Sequence, residues 1–287
     1  MIWMCPHCAQ PLEAGEPGLL CVNGHRFDRA REGYVNLLPV QHKRSKNPGD
    51  NSEMVRGRRA LHQAQLYRPL AEALCDLVAT CRDVSTLLDI GCGEGYYDGM
   101  LSARLPGLSV YGVDIAKTAV RLAARDYRSQ HYAVASSRHL PVMTSSIDLA
   151  MCIFSPVNDS EVARAVRPTG YYLEVGPAAQ HLWELKTALY EQPREHPLLR
   201  RTIPGGALVQ EGECHYEKQL TQTELQAVVA ATPFAFRGHR EKREALREQS
   251  DFVITLGFSW RLFRLAALRD TVASGAVLDD ALESTDL

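Results

Sequence analysis

Apolar residues fall into two rhythms along the chain. Short dense runs, Leu87 to Ile90, Ser109 to Asp114, His131 to Ala135, Ser146 to Phe154 and Tyr171 to Val175, have the length and β-branched or aromatic content of buried strands. Between them lie stretches with helical spacing, Ala116 to Arg128 and Glu161 to Val166, the second ended by Arg167-Pro168-Thr169-Gly170. This βα alternation predicts an α/β fold built on a doubly wound parallel sheet, with ligands at the carboxyl ends of the strands. Upstream, Asn51-Ser52-Glu53-Met54 can cap a helix carrying Arg56, Arg58 and Arg59, and Pro69 suits the first turn of another that runs to about Cys81. Downstream, the pattern predicts an amphipathic helix over Gln180 to Tyr190, a Pro-interrupted connection, a helix over Thr221 to Thr232 and a late strand over Phe252 to Phe263.

The first of these strands breaks into alternating glycines, Asp89-Ile90-Gly91-Cys92-Gly93-Glu94-Gly95, where a helix should begin. Glycine at alternate positions lets backbone approach a ligand closely, and free N–H groups at a helix start favour its polar or anionic groups. A nicotinamide fingerprint places its third glycine one residue later. The form here, with an acid ahead of the first glycine, resembles motif I of the class I methyltransferases that use S-adenosylmethionine (SAM), and so implies SAM contacts from Asp89, Gly91, Gly93 and Gly95. About 20 residues on, Asp114 ends the next strand, where a ribose-binding carboxylate belongs.

Composition bounds the rest. With 287 residues, 45% hydrophobic and 23% charged, the chain is ordinary for a globular protein of one large core or two domains. No apolar run approaches the roughly 20 residues of a membrane span, and the N-terminus does not read as a signal peptide, so a cytoplasmic, membrane-free protein is expected. Eight cysteines in that setting direct attention to spacing rather than disulfides. Cys5-Pro6-His7-Cys8 and Cys21-Val22-Asn23-Gly24-His25 supply a Cys3His set, Cys5, Cys8, Cys21 and His25, suited to one structural zinc ion. The surrounding segment has few apolar residues, so metal binding is expected to contribute its folding free energy.

Net charge is −2, yet between Arg26 and Arg59 nine basic residues face four acids. Such a local excess suggests a polyanionic partner. His42, Lys43, Arg44 and Lys46, followed by Arg56, Arg58 and Arg59, are candidate phosphate contacts. After Arg269 the tail has five acids and no Lys or Arg, and disorder is expected there. The expected division is a zinc module over 1–36, a basic connection over 37–66, a methyltransferase domain over 67–268 and the tail over 269–287.

Taken together, Cys5-Pro6-x-Cys8, the run Gly33-Tyr34-Val35-Asn36-Leu37-Leu38-Pro39-Val40-Gln41-His42-Lys43-Arg44, the glycine turn with Tyr96-Tyr97, and Thr232-Pro233-Phe234 resemble the bacterial RlmA-type zinc-containing rRNA guanine-N1 methyltransferases. The resemblance extends to about residue 265. It implies a class I, Rossmann-like, SAM-dependent core with an N-terminal zinc module, a 23S rRNA hairpin as substrate, a homodimer, and cofactor contacts from positions matching Tyr67, Gly93, Glu94 and His181. It leaves open which of two neighbouring guanines is modified. Where many class I enzymes carry an acid for the adenine amino group, this chain has Ala135-Ser136-Ser137, and the Ser136 hydroxyl is the weaker substitute. Guanine N1 is protonated at neutral pH, so a proton acceptor is required, with Asp159 and Glu174 as the candidates. A small-molecule methyltransferase would have no need of the zinc module, and a non-catalytic RNA-binding adaptor no need of the cofactor turn.

Overall fold

The computed structural model describes residues 1–42, 49–199, 202–232 and 240–267. The N-terminal segment forms a three-stranded antiparallel sheet from β1 (Leu12–Ala14), β2 (Gly18–Cys21) and β3 (Arg26–Asp28) in the order β1-β2-β3. A two-residue strand, β4 (Val35–Asn36), a 3-10 turn (Val40–His42) and two helices, α1 (Ser52–Gln63) and α2 (Arg68–Thr80), lead into the main sheet. Asn51 caps α1 by accepting from the Glu53 and Met54 amides, both at 2.9 Å.

The alternating part comprises β5 (Thr86–Ile90), α3 (Tyr96–Arg104), β6 (Ser109–Asp114), α4 (Lys117–Asp126), β7 (His131–Val134), β8 (Ile147–Ile153), α5 (Asp159–Ala165) and β9 (Val166–Pro177). It is followed by α6 (Trp183–Leu189), β10 (Gly206–Leu220), α7 (Gln222–Ala231), α8 (Arg240–Arg247) and β11 (Phe252–Leu265). These strands and β4 make one eight-stranded sheet, ordered β10-β11-β9-β8-β5-β6-β7-β4. Strand order reverses between β5 and β8, both parallel and almost wholly buried. Chains leaving the two strands therefore diverge to opposite faces and open a crevice at their carboxyl ends.

Several expectations need correction. The sheet is mixed: β11 runs antiparallel to β9, and β10 antiparallel to β11. β10 fills part of the expected connection and escaped notice because, as an edge strand, it buries only Leu220 and carries no continuous apolar face. The α6 helix begins at Trp183, not Gln180, because Leu182 takes a left-handed conformation, leaving His181 outside the helix. β9 starts at Val166, and Arg167-Pro168-Thr169-Gly170 bulges from it rather than ending a helix, with Arg167 paired to Asp148 at 2.5 Å.

The expected boundaries at 36 and 66 do not follow the packing. β4 joins the main sheet beside β7. Ile2, Trp3, Leu12 and Leu19 share a core with Leu88, Ile90, Tyr111 and Val113, and the Trp3 ring meets Tyr111 edge-on at 5.4 Å. Main-chain bonds Met4 N to Pro141 O and Met143 N to Ile2 O, each 2.8 Å, stitch the segment to the loop before β8. The expected acidic tail lies outside the described residues.

Helix α1 closes over the sheet by packing on α7, and Gly57 permits the approach: a Cβ there would lie 2.7 Å from Ala231 N and 2.8 Å from the Ala230 carbonyl carbon. Gly57→Leu should therefore push the helices apart and lower unfolding free energy by about 1–3 kcal/mol in denaturant titration. Unchanged stability would mean that α1 adjusts freely on α7.

Candidate active site and metal centre

The crevice is an elongated cleft with two lobes that share Arg58, Gly91, Ile153, Phe154 and Ser155. One lobe, about 420 Å³, is walled by Asp50, Asp114, Ile115, Ala135 and Ser136. The other, about 480 Å³, is walled by His62, Tyr67, Asp89, Gly93, Glu94, Glu174, His181 and His196. Asp114 ties the two together. Its carboxylate accepts from the Gly93 amide at 3.0 Å and the Ala116 amide at 2.7 Å, holding the glycine turn against the end of β6. Gly93 has φ +56°, and a Cβ there would meet nothing within 4 Å, so the turn presents bare backbone to open space. Ser136 sits on the first lobe, its hydroxyl accepting from the Arg138 amide at 3.2 Å.

The cleft wall is acidic. Asp89 is buried; burial, then the charge of the neighbouring Asp98 and the hydrogen bond the two carboxyls share, push its pKa well above the usual carboxylate range. Burial also acts on Glu94, but the hydrogen bond from His62 Nδ1 to Glu94 Oε1 at 2.5 Å, together with the His62 and Arg58 charges, brings its pKa below the usual value. The ionised Glu94 on the cleft wall suits a cationic ligand, and SAM carries both an ammonium and a sulfonium. The open backbone at Gly93, the apolar Ile115, Ala135 and Ile153 surfaces and the Asp114 carboxylate fit its methionine, adenine and ribose parts.

His181 is fixed from two sides. The Gly257 amide donates to Nδ1 at 3.3 Å, so the ring proton sits on Nε2 and faces the Tyr67 hydroxyl oxygen at 3.4 Å. Burial and the neighbouring His196 push the His181 pKa down to about 3, so the ring is neutral, and the Tyr67 hydroxyl keeps its own hydrogen for a ligand. Phe154, with φ +54° and 42% exposed, stands at the shared edge of the lobes, 6.2 Å from the Tyr67 ring and 6.3 Å from His181.

Some expected residues are not brought here. Asp159 begins α5 and is not on the cleft wall, whereas Glu174 is. The supposed phosphate cluster is divided: Arg59 pairs with Asp126 at 2.6 Å, Arg58 pairs with Asp50 and lines the cleft, and Arg56 is exposed. His42 ends the 3-10 turn, and Lys43, Arg44 and Lys46 lie outside the described residues. Reasoning from sequence missed His62, Phe154, Asp98 and His196; the i, i+4 spacing of Arg58 and His62 on α1 is a signal for the first.

At the N-terminus Cys5, Cys8, Cys21 and His25 converge, with all four ligand atoms within 4.8 Å of one another. Cys8 and Cys21 Sγ atoms are 3.7 Å apart, and His25 Nδ1 lies 3.6 Å from Cys5 Sγ and 3.3 Å from Cys21 Sγ. These are the edges of a tetrahedron with metal bonds of about 2.0–2.3 Å and far beyond a disulfide. Hydrogen bonds from the Gln10 backbone, then Asn23, help lower the Cys8 pKa to about 6, towards the thiolate that a metal needs.

Residues 3–46 match the family model described as "RlmA, N-terminal", a zinc ribbon, and residues 87–170 match one described as "Methyltransferase domain". The chain is 33% identical to the 23S rRNA (guanine(748)-N(1))-methyltransferase of Streptomyces fradiae over 251 residues, 85% of this chain and 88% of that one. The chain belongs to the 23S rRNA (guanine-N1)-methyltransferase family. Other family relatives include the putative enzyme YxjB of Bacillus subtilis, 27% identical over 89% of this chain and 94% of its own length, and one of Micromonospora griseorubida, 34% identical over 63% and 67%. In this family member the zinc ribbon and the SAM-dependent domain share a continuous core rather than being linked by a tether.

Elemental analysis should accordingly find about one zinc per chain. Cys21→Ser should lose it and melt at lower temperature, since Cys21 belongs to the shared core. Full zinc content in that variant would remove Cys21 from the ligand set.

Proposed function

We propose that the chain transfers the methyl group of SAM to N1 of a guanine in a hairpin of 23S rRNA. The observation that carries this reading is the acidic, glycine-floored cleft at the strand-order reversal, in a chain that spans most of the length of rRNA guanine-N1 methyltransferases. When bound, SAM supplies a methyl group made electrophilic by its sulfonium. Asp114 accepts the ribose hydroxyls with its remaining lone pairs, while Gly91, Gly93 and Gly95 keep the turn close to the ligand. Glu94 would face the cationic end, Asp89 would support the turn beneath it, and Tyr67, oriented by His181, would donate its hydroxyl hydrogen. Ser136 stands by the adenine. Cys5, Cys8, Cys21 and His25 hold the zinc.

Guanine N1 carries a proton at neutral pH, so the cleft must extrude the base, align N1 with the methyl group and take up that proton. An unpaired loop guanine is cheaper to extrude than a stacked one. The basic positions His42, Lys43, Arg44, Lys46 and Arg56, next to the zinc ribbon, are assigned to the RNA backbone. Family resemblance further implies a homodimer, and the lack of a long apolar run in the sequence supports a cytoplasmic location; among the described residues no helix is long and apolar enough to cross a membrane.

Gly93→Val should abolish SAM binding in calorimetry, because the new side chain occupies the space that the backbone leaves open, and Asp114→Ala should weaken it. Undiminished affinity in both variants would mean that SAM binds elsewhere. For the reaction, primer extension on an rRNA transcript incubated with enzyme and SAM should show one new stop in a hairpin loop, since a methyl on N1 blocks the pairing edge. No stop, or a methyl recovered on N7 or ribose, would defeat the assignment.

A further inference from the structure

SAM carries a carboxylate as well as its two cationic centres, and an unpaired anion in a cleft walled by Glu94 and Asp114 is costly, so the methionine end needs a positive partner. Few groups can supply one. The amides of the glycine turn are engaged within the protein, those of Gly91 and Cys92 on Val113 O, that of Gly93 on Asp114 and that of Gly95 on Cys92 O. Burial and His196 keep His181 neutral, and any charge on His62 is offset by the Glu94 carboxylate that its Nδ1 meets. That leaves one side chain. Among the described residues Arg58 is the only lysine or arginine on the wall of the second lobe, and it borders the first lobe as well.

Neighbours on α1 fix the direction of Arg58. Val55 packs with Ala116 and Ala119 at the start of α4, Arg59 pairs with Asp126 at the end of that helix, and Gly57 lies against α7, so the helix cannot roll and Arg58 is held on the cleft side. Its Nη1 pairs with Asp50, which stands on the first lobe. With the two side chains 38% and 27% exposed, this pair rearranges at little cost. A guanidinium offers five N–H donors in a fork that suits carboxylates, so Asp50 leaves donors for a second one. The Arg58 charge is felt at both ends of the site: burial raises the Asp114 pKa and Arg58 is among the groups that lower it, while at Glu94 burial is outweighed by His62, with Arg58 adding to the lowering.

Resting on the reading of the cleft as the SAM site, we propose that Arg58 holds the methionine carboxylate of SAM with the donors that Asp50 leaves, and that the cleft thereby selects cofactors carrying this group. The two charged ends of the methionine are then told apart. Glu94 faces the ammonium, and Arg58, one helical turn before His62 on α1, takes the carboxylate. An RNA phosphate is the other anion an arginine can hold, but Arg58 stands on the walls of both cofactor lobes, whereas Arg56 is the α1 arginine left to solvent. Methyl transfer leaves the carboxylate unchanged, so Arg58 grips SAM and its product S-adenosylhomocysteine alike. This is uniform binding, which sets cofactor affinity and not the rate of the chemical step.

The test is calorimetry on the full-length zinc-loaded protein with two ligands, S-adenosylhomocysteine and its analogue lacking the carboxylate, against wild type, Arg58→Met and Arg58→Lys. Arg58→Met keeps the apolar stem and removes the charge. It should weaken S-adenosylhomocysteine binding by roughly 10- to 100-fold, the worth of a hydrogen bond to a charged group, and leave the analogue bound as in wild type. Arg58→Lys should recover part of the loss, and wild type alone should prefer S-adenosylhomocysteine to the analogue by a similar factor. In methylation assays Arg58→Met should raise KM for SAM more than it lowers kcat. Undiminished S-adenosylhomocysteine affinity in Arg58→Met overturns the inference, and so does an equal loss for both ligands or a wild type that does not distinguish them. Unchanged cofactor affinity together with an RNA salt slope reduced by roughly 0.7 to 0.9 would give Arg58 to an RNA phosphate instead. Wild-type S-adenosylhomocysteine binding by Gly93→Val is a different outcome, for it removes the reading of the cleft and this inference together.

Discussion

One hydrogen bond organises the site, that from the Gly93 amide to Asp114. The β5 and β6 strands lie side by side in parallel register, so their carboxyl ends emerge at one level. Without a brace between them the glycine turn, free to take many conformations, would lose its shape. Asp114 supplies the brace with one oxygen and holds the start of α4 with the other. Burial raises the Asp114 pKa while the amides of Ala116 and Gly93 lower it, so the same bonds that shape the turn offset part of the cost of a buried charge. The cofactor lobes lie on either side of this brace.

Around that centre the walls divide the electrostatic work. The Glu94 carboxylate gives a cation somewhere to bind, and Arg58 and His62 from α1 keep the acidic wall from being one-sided. On the opposite side the rings are neutral: burial holds His181 uncharged, and Phe258 packs on both Tyr67 and His181 at 4.9 Å. A neutral aromatic wall beside an acidic one suits a reaction in which a cationic cofactor gives up its methyl group to an uncharged base.

The zinc ribbon is built into the same arrangement. Because Trp3 packs on Tyr111 of β6 and β4 extends the main sheet, metal binding is coupled mechanically to the strand that ends in Asp114. A ribbon that merely gripped RNA would not need that shared core. Here the zinc ribbon and the cofactor brace are parts of one packed body, which fixes the distance from the metal centre to the cleft.

Much of this was legible in the sequence, because much of it is local. Strand runs, the glycine turn with Asp114 a fixed distance on, the Asn51 cap and the paired spacing of Cys5, Cys8, Cys21 and His25 depend on residues close together in the chain, where backbone sterics and ligand geometry allow few alternatives. Long-range pairing is another matter. The β10 strand exists because β11 offers it an edge, not because its own residues alternate, and the antiparallel edge of the sheet followed from that pairing. Arg58 and Arg59 read as phosphate ligands until Asp50 and Asp126 met them in space. His62 gains meaning from Glu94, and Phe154 from the Tyr67 and His181 rings, all distant from them in the chain. Local sequence set which conformations and which metal and cofactor chemistries were available; tertiary packing alone decided which polar groups were paired and which side chains line the cleft, since both depend on what the rest of the chain brings within reach.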